Sequence, residues 1–197
     1  METMDKQFEQ PKGILGKIAG FIMNLENRKI NKWTLQHVNP QKGDTILEIG
    51  YGPGYAIKKL MDAKSGVTLH GIDLSSNMEK MAEKKNSEAV EKGKVKLYSG
   101  DISEYKAPLQ YDKVYTVNNY PLWEKKEKSL ERIYQLLKEG GRIVITVQPR
   151  EDDADDAKTR RLGKSIKNDL KKAGFQSIRI HYKKVRPVLT VCVTANK

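Results

Sequence analysis

Ile46-Leu47-Glu48-Ile49-Gly50-Tyr51-Gly52-Pro53-Gly54-Tyr55-Ala56-Ile57 is the stretch around which the rest of the chain is organised. Asp44 to Ile49 is a short β-branched and apolar run of buried-strand type. It passes directly into three alternating glycines and then into a helical pattern carrying Ala56, Ile57, Leu60 and Met61. Gly50, Gly52 and Gly54 leave a loop without side chains, which can turn sharply and present backbone N–H groups to a ligand at a helix start. Pro53 falls near the first turn of that helix, where its missing N–H costs nothing.

Outward from the loop, strand and helix patterns alternate to the C-terminus. Val67 to Ile72 reads as a second strand ending at Asp73, roughly twenty residues past the loop, the distance at which a doubly wound sheet brings a carboxylate to a ribose. A carboxylate can accept two hydrogen bonds from a vicinal diol. Asp73 could instead cap the next helix, although Ser75 or Ser76 could also fill that role. A helix is expected from about Ser76 to Lys92, stopping at Gly93, followed by a third strand and its exit from Val95 to Ile102. Tyr111 to Asn119 gives the fourth strand with its exit, Glu124 to Lys138 a helix, and Ile143 to Val147, after Gly140-Gly141, the fifth strand. Beyond the acidic run Glu151 to Asp156, Leu162, Ile166, Leu170 and Ala173 form a helical stripe that stops at Gly174. Two alternating runs follow, around Ile178 to Lys184 and Val188 to Thr194.

The dinucleotide fingerprint G-x-G-x-x-G places its third glycine where this chain has Tyr55, which counts against NAD. With Glu48 two residues before the first glycine, the loop instead resembles motif I of the class I S-adenosylmethionine-dependent methyltransferases. Asp73, the Gly100-Asp101-Ile102 step and the helix-Gly-Gly-strand passage extend the resemblance over about residues 41 to 197. It implies an α/β fold, a doubly wound, mostly parallel seven-stranded sheet with an antiparallel last strand, preceded by N-terminal helices. It further implies S-adenosylmethionine as cofactor, leaving as S-adenosylhomocysteine. The cofactor-binding positions carried over are Glu48, Gly50, Tyr51, Gly52, Gly54, Asp73, Leu74, Asp101, Ile102 and Asn118. Glu48 would hold the amino group, Asp73 the ribose and Asp101 the adenine amino group, with Ile102 against the ring. Amino-group methyltransferases of nucleic acids and proteins show Asp or Asn, Pro, Pro, aromatic after the fourth strand. Asn118-Asn119-Tyr120-Pro121 lacks those prolines, which speaks against an adenine-N6 or glutamine-N5 target.

Before the first strand, Ile14, Leu15, Ile18, Ala19, Ile22, Met23 and Leu25 recur at helical spacing, and a second helix is expected from about Asn27 to Val38. By the same resemblance residues 1–40 form a helical lid within the same domain. Trp33, Tyr55, Tyr120 and Trp123 are the substrate-pocket candidates. A helix packed on the sheet, or an amphipathic helix in peripheral contact with a membrane, are the alternatives.

At 197 residues the chain fits one domain with a full core. No apolar run is long enough to span a bilayer and the N-terminus lacks the plan of a secretory signal, so a cytoplasmic location is expected. One cysteine, Cys192, leaves no intrachain disulfide or thiol pair and reads as packing. No metal site is expected, because the Asp152 to Asp156 run lacks the glycine and terminal acid of a calcium loop. The histidines, His37, His70 and His181, are poorly placed for catalysis. A net charge of +12 with basic residues crowding the C-terminal third suits either a solvated helix face, the favoured reading, or a nucleic-acid surface.

Methyl transfer needs alignment of the acceptor more than acid-base catalysis, so no dedicated catalytic residue is assigned. The expected activity is methyl transfer to a small-molecule acceptor. The alternatives are an RNA or protein methyltransferase using the basic C-terminal third, a lipid methyltransferase using the N-terminal amphipathic helix, and a cofactor-binding module without catalysis.

Overall fold

In the computed structural model, residues 28–63 and 66–197 are described, so the apolar segment Gly13 to Leu25 lies outside the described residues. Seven strands form one sheet: β1 (Thr45–Ile49), β2 (Thr68–Asp73), β3 (Val95–Ser99), β4 (Tyr111–Val117), β5 (Leu137–Val147), β6 (Gln176–Lys184) and β7 (Leu189–Asn196). Their spatial order is β3-β2-β1-β4-β5-β7-β6. β1 pairs in parallel with β2 and β4, β2 with β3, and β4 with β5, whereas β7 runs antiparallel between β5 and β6. The doubly wound, mostly parallel seven-stranded sheet with its antiparallel last strand is therefore the fold observed. Strand order reverses between β1 and β4, and the crevice at the carboxyl end of that switch point is where such sheets take ligands.

Each face of the sheet has its own apolar layer. Along β1, Ile46 joins a cluster with Ile57, Leu60, Ala82 and Val144, while Leu47 and Ile49 join one with Leu130, Ile133, Ile166 and Leu170, as period-two alternation requires. The first layer carries α1 (residues 28–38), α2 (Tyr55–Ala63), α3 (Ser76–Lys85) and α4 (Ser87–Glu91), and the second α5 (Lys126–Leu136) and α6 (Asp156–Lys172). Thr34 fixes α1 to the sheet, its Oγ1 donating to Ile30 O and lying 2.8 Å from Oγ1 of Thr146 on β5. Cys192 is fully buried in the first layer, and burial pushes its thiol up to about 12. No helix among the described residues is long and apolar enough to cross a membrane.

Three features depart from the sequence reading in ways that the contacts explain. The single helix expected from Ser76 to Lys92 is split into α3 and α4 at Asn86, whose buried Nδ2 donates to Ala82 O at 2.8 Å and Gly54 O at 3.1 Å. Apolar periodicity carries no trace of that second bond, which ties the break to the glycine loop 32 positions away. The fifth strand starts at Leu137, not at Ile143. Tyr111 pairs with Leu137 but Lys113 with Arg142, so residues 138–141 form a bulge inside β5, and a Cβ at Gly141 would lie 2.7 Å from Lys138 O. The acidic run, read as solvated, is partly structural: Asp155 caps α6 by accepting from Lys158 N, and Asp156 Oδ1 accepts from Leu189 N at 2.8 Å.

Asn86→Ala removes two buried side-chain bonds and should lower stability by about 1–3 kcal/mol. Urea unfolding checks this, and an unchanged midpoint would mean that the loop does not lean on Asn86.

Candidate functional site

All three loop glycines take left-handed backbone, with φ of +72° at Gly50, +51° at Gly52 and +75° at Gly54, which side chains rarely adopt. Gly50 N donates to Ile72 O at 2.8 Å and Gly54 N to Tyr51 O at 3.0 Å. Gly52 N donates instead to Asp73 Oδ2 at 2.9 Å, while Asp73 Oδ1 accepts from Ser75 N at 3.0 Å. One carboxylate thus joins the loop after β1 to the turn after β2. Ser75 serves as the α3 cap, accepting from Met78 N, so Asp73 is not spent on that role. Tyr51 is buried beneath the loop, its OH donating to Tyr98 O, and Gly71 is required beside it because a Cβ there would lie 2.6 Å from the Tyr51 ring.

A cavity of about 350 Å³ opens at the carboxyl ends of β1 to β4. Its walls are Ile49 and Gly50, then Ile72, Asp73 and Leu74, then Gly100, Asp101 and Ile102, and finally Asn119, Leu122, Trp123, Glu124 and Ser129. Leu74 and Leu122 are 74% and 61% exposed. Two such side chains on the walls of one cavity are surface that a ligand would cover. Asp101 Oδ1 accepts from Ser103 N at 2.8 Å, which pins the carboxylate at the start of a short 3-10 turn. Both acids keep acceptor capacity beyond these bonds, since a carboxylate has about four lone-pair sites. A Cβ at Gly52 would meet nothing within 4 Å, so that side of the loop is open.

The remaining positions carried over from the sequence lie elsewhere. Glu48 is 3% exposed beneath the loop and is absent from the cavity wall. Burial pushes its carboxyl up to about 8, the 2.7 Å bond donated by Tyr115 OH opposes this, and the charge of Asp73 adds to it. Asn118 takes φ +53° and its Oδ1 accepts from Gln148 N, so the wall is formed by its neighbour Asn119. The Asn119 side chain lies across Gly50, where a Cβ would come within 2.3 Å of it, and its Oδ1 accepts from Trp123 Nε1 at 2.6 Å. The tolerance of Asn for left-handed backbone was the available signal for this turn, but two adjacent asparagines made it ambiguous.

Of the four substrate-pocket candidates, only Trp123 lines the cavity. Tyr120 is buried and donates to Asp169 Oδ2 at 2.8 Å, which places it in the α5–α6 layer. Trp33 packs edge-on to His37 in the layer of α1, with Lys183 over its ring. Tyr55 lines a separate groove of about 610 Å³ between α1 and α2, with Arg28 and Lys59 over its ring. Part of the basic C-terminal charge is already engaged: Lys158 pairs with Glu151 and Asp153, and Arg160 stacks over Tyr182 at 4.9 Å.

Residues 46–141 match a family model described as a methyltransferase domain. The uncharacterized methyltransferase YdaC of Bacillus subtilis (strain 168) is 43% identical over 181 residues, covering 91% of this chain and 98% of that protein. Phosphoethanolamine N-methyltransferase 2 of Caenorhabditis elegans is 36% identical over 111 residues, 53% of this chain but only 24% of that protein. Among solved structures, phosphoethanolamine N-methyltransferase 2 of Haemonchus contortus, in complex with phosphomonomethylethanolamine and S-adenosylhomocysteine, superposes with a TM-score of 0.68. That match is at 20% identity and covers 85% of this chain and 52% of that one. The likeness to the Bacillus protein runs almost end to end, and with it this chain belongs to the class I S-adenosylmethionine-dependent methyltransferases.

Proposed function

We propose that this methyltransferase acts on a small-molecule acceptor that enters beside Trp123 and Glu124. The observation that carries the reading is the charge around the cavity: Asp73, Asp101 and Glu124 line it together with exposed Leu74 and Leu122. Three carboxylates repel a polyanion, and α6, which carries much of the basic C-terminal charge, packs against β6 and β7 at the far end of the sheet from β2 and β3. The nematode relatives named for phosphoethanolamine, a small amine, support the same acceptor class.

The walls fit S-adenosylmethionine. Leu74, Ile102 and Leu122 would flank the adenine, Asp101 would accept from its amino group, and Asp73 would accept from the ribose hydroxyls while keeping hold of Gly52 N–H. The open face of Gly52 would receive the methionine end, above buried Glu48. The cofactor supplies a methyl group already activated on a sulfonium. What this chain adds is alignment and exclusion of water, through a rigid left-handed loop and the Asn119–Trp123 bond that shapes the opposite wall. An ammonium or hydroxyl acceptor must also lose a proton, and Glu124 is the exposed carboxylate on the acceptor side that can take it. Turnover of S-adenosylmethionine against panels of small amines, hydroxy compounds and RNA tests the acceptor class. Methylation of RNA alone would contradict it.

Asp73→Ala should weaken S-adenosylhomocysteine binding by about 1.5–3 kcal/mol, the worth of hydrogen bonds to a charged group. Calorimetric titration measures this, and unchanged affinity would remove Asp73 from the site. Glu48 yields a pH effect. Its folded-state carboxyl near 8 lies above the ordinary 4.5, so its contribution to stability is complete below about pH 4.5 and is lost as pH rises through about 8. Glu48→Gln should therefore flatten the dependence of the thermal midpoint on pH between those limits. Parallel curves for the two proteins would show that Glu48 does not titrate there.

A further inference from the structure

We propose that the cleft between the C-terminal end of α1 and the β5-β7-β6 end of the sheet is a binding site for a phosphate group. The cleft has a volume of about 290 Å³ and is lined by His37, Arg142, Ser177, Arg179, His181, Thr194 and Asn196, all polar. It sits near the start of the parallel part of β5 and the end of β7, where Arg142 pairs with Asn196. That is the edge of the sheet opposite the carboxyl ends that form the cofactor cavity, so the proposal is independent of the acceptor reading.

The side chains reach the cleft by strand alternation. Arg142 on β5, Arg179 and His181 on β6, and Thr194 and Asn196 on β7 share the face that α1 covers. The β6 register shifts between Gln176 and Arg179, and Ser177 takes φ +51° there, a bulge that sets Ser177 and Arg179 on one rim. His37 reaches the cleft from α1, and its ring stacks on that of His181 with centroids 4.3 Å apart at 34°. Among the described residues Arg142 makes long bonds, 3.4 Å to His37 O and 3.4 Å to Asn196 Oδ1, which leave further guanidinium donors for a ligand.

Electrostatics favour a dianion. The charged groups acting on the two imidazoles are Arg142 from β5 and Arg179 and Lys183 from β6, all cationic, and each imidazole in α1 or β6 also feels or faces the other. Burial first, and then these charges, hold both rings below the usual histidine range. A phosphate seated between two guanidinium groups and two imidazoles would reverse that balance and draw protons onto the rings. His70 provides an internal control, because it is buried in β2 and bonded through Nδ1 to Tyr111 OH at 2.9 Å.

With only three histidines in the chain, imidazole resonances can be followed by NMR across a pH series. Inorganic phosphate and glycerol phosphate would be titrated separately, against chloride at matched ionic strength. The proposal expects saturable shifts at His37 and His181, with both titrating at higher pH when phosphate is bound, and none at His70. Arg179→Gln, a change on the exposed rim, should weaken phosphate binding about tenfold or more, as loss of a charge-assisted bond implies. S-adenosylhomocysteine binding should stay as in the parent protein. Tighter binding of the ester would identify a phosphorylated metabolite as the source, and tighter inorganic phosphate the free ion; either supports the site. Shifts no larger than chloride gives, or equal binding by the Arg179→Gln protein, would overturn it.

Discussion

The carboxylate of Asp73 is the constraint on which the rest of the site depends. Its two oxygens accept from Gly52 and Ser75, and so the glycine loop after β1 and the turn into α3 become one rigid piece. Glycine at positions 50, 52 and 54 makes the left-handed path possible, but only a fixed acceptor selects it from the many that glycine allows. Asn86 supports the same piece from outside, joining the end of the loop to the break between α3 and α4. A cofactor that met this loop would find its backbone path already set by these internal bonds, with little ordering left to do on binding.

Glu48 lies below that piece, where a carboxyl without a full set of partners is held toward its neutral form. The single bond from Tyr115 and the negative charge of Asp73 act in opposite directions on it. In the proposed complex, an ammonium group above the loop would favour the ionised carboxyl even though Glu48 does not form the cavity wall.

Much of this was legible in the sequence, for local reasons. The β1-glycine loop, Asp73, Leu74, Asp101 and Ile102 announce themselves because strand, turn and acid recur at spacings that the sheet imposes, and each of these four side chains lines the cavity. The split at Asn86 and the choice of Asn119 over Asn118 were not legible. Each depends on a side chain meeting backbone or side-chain atoms that are distant in sequence. The three pocket candidates that lie outside this cavity share one feature. Trp33, Tyr55 and Tyr120 are large aromatics near the right loops, yet each is committed to packing or to a groove away from the cavity, and composition cannot tell those uses apart. The stacked His37 and His181 are 144 positions apart, and only the β5-β7-β6 end of the sheet brings them together.

Amide hydrogen exchange of the whole chain, with and without S-adenosylhomocysteine, tests the central claim most directly. If the Asp73-held loop and the cavity above it bind the cofactor, protection should rise at residues 50–54, 73–75 and 101–103 and stay unchanged at 177–181. Protection confined to other segments, or no change at saturating ligand, would contradict the account.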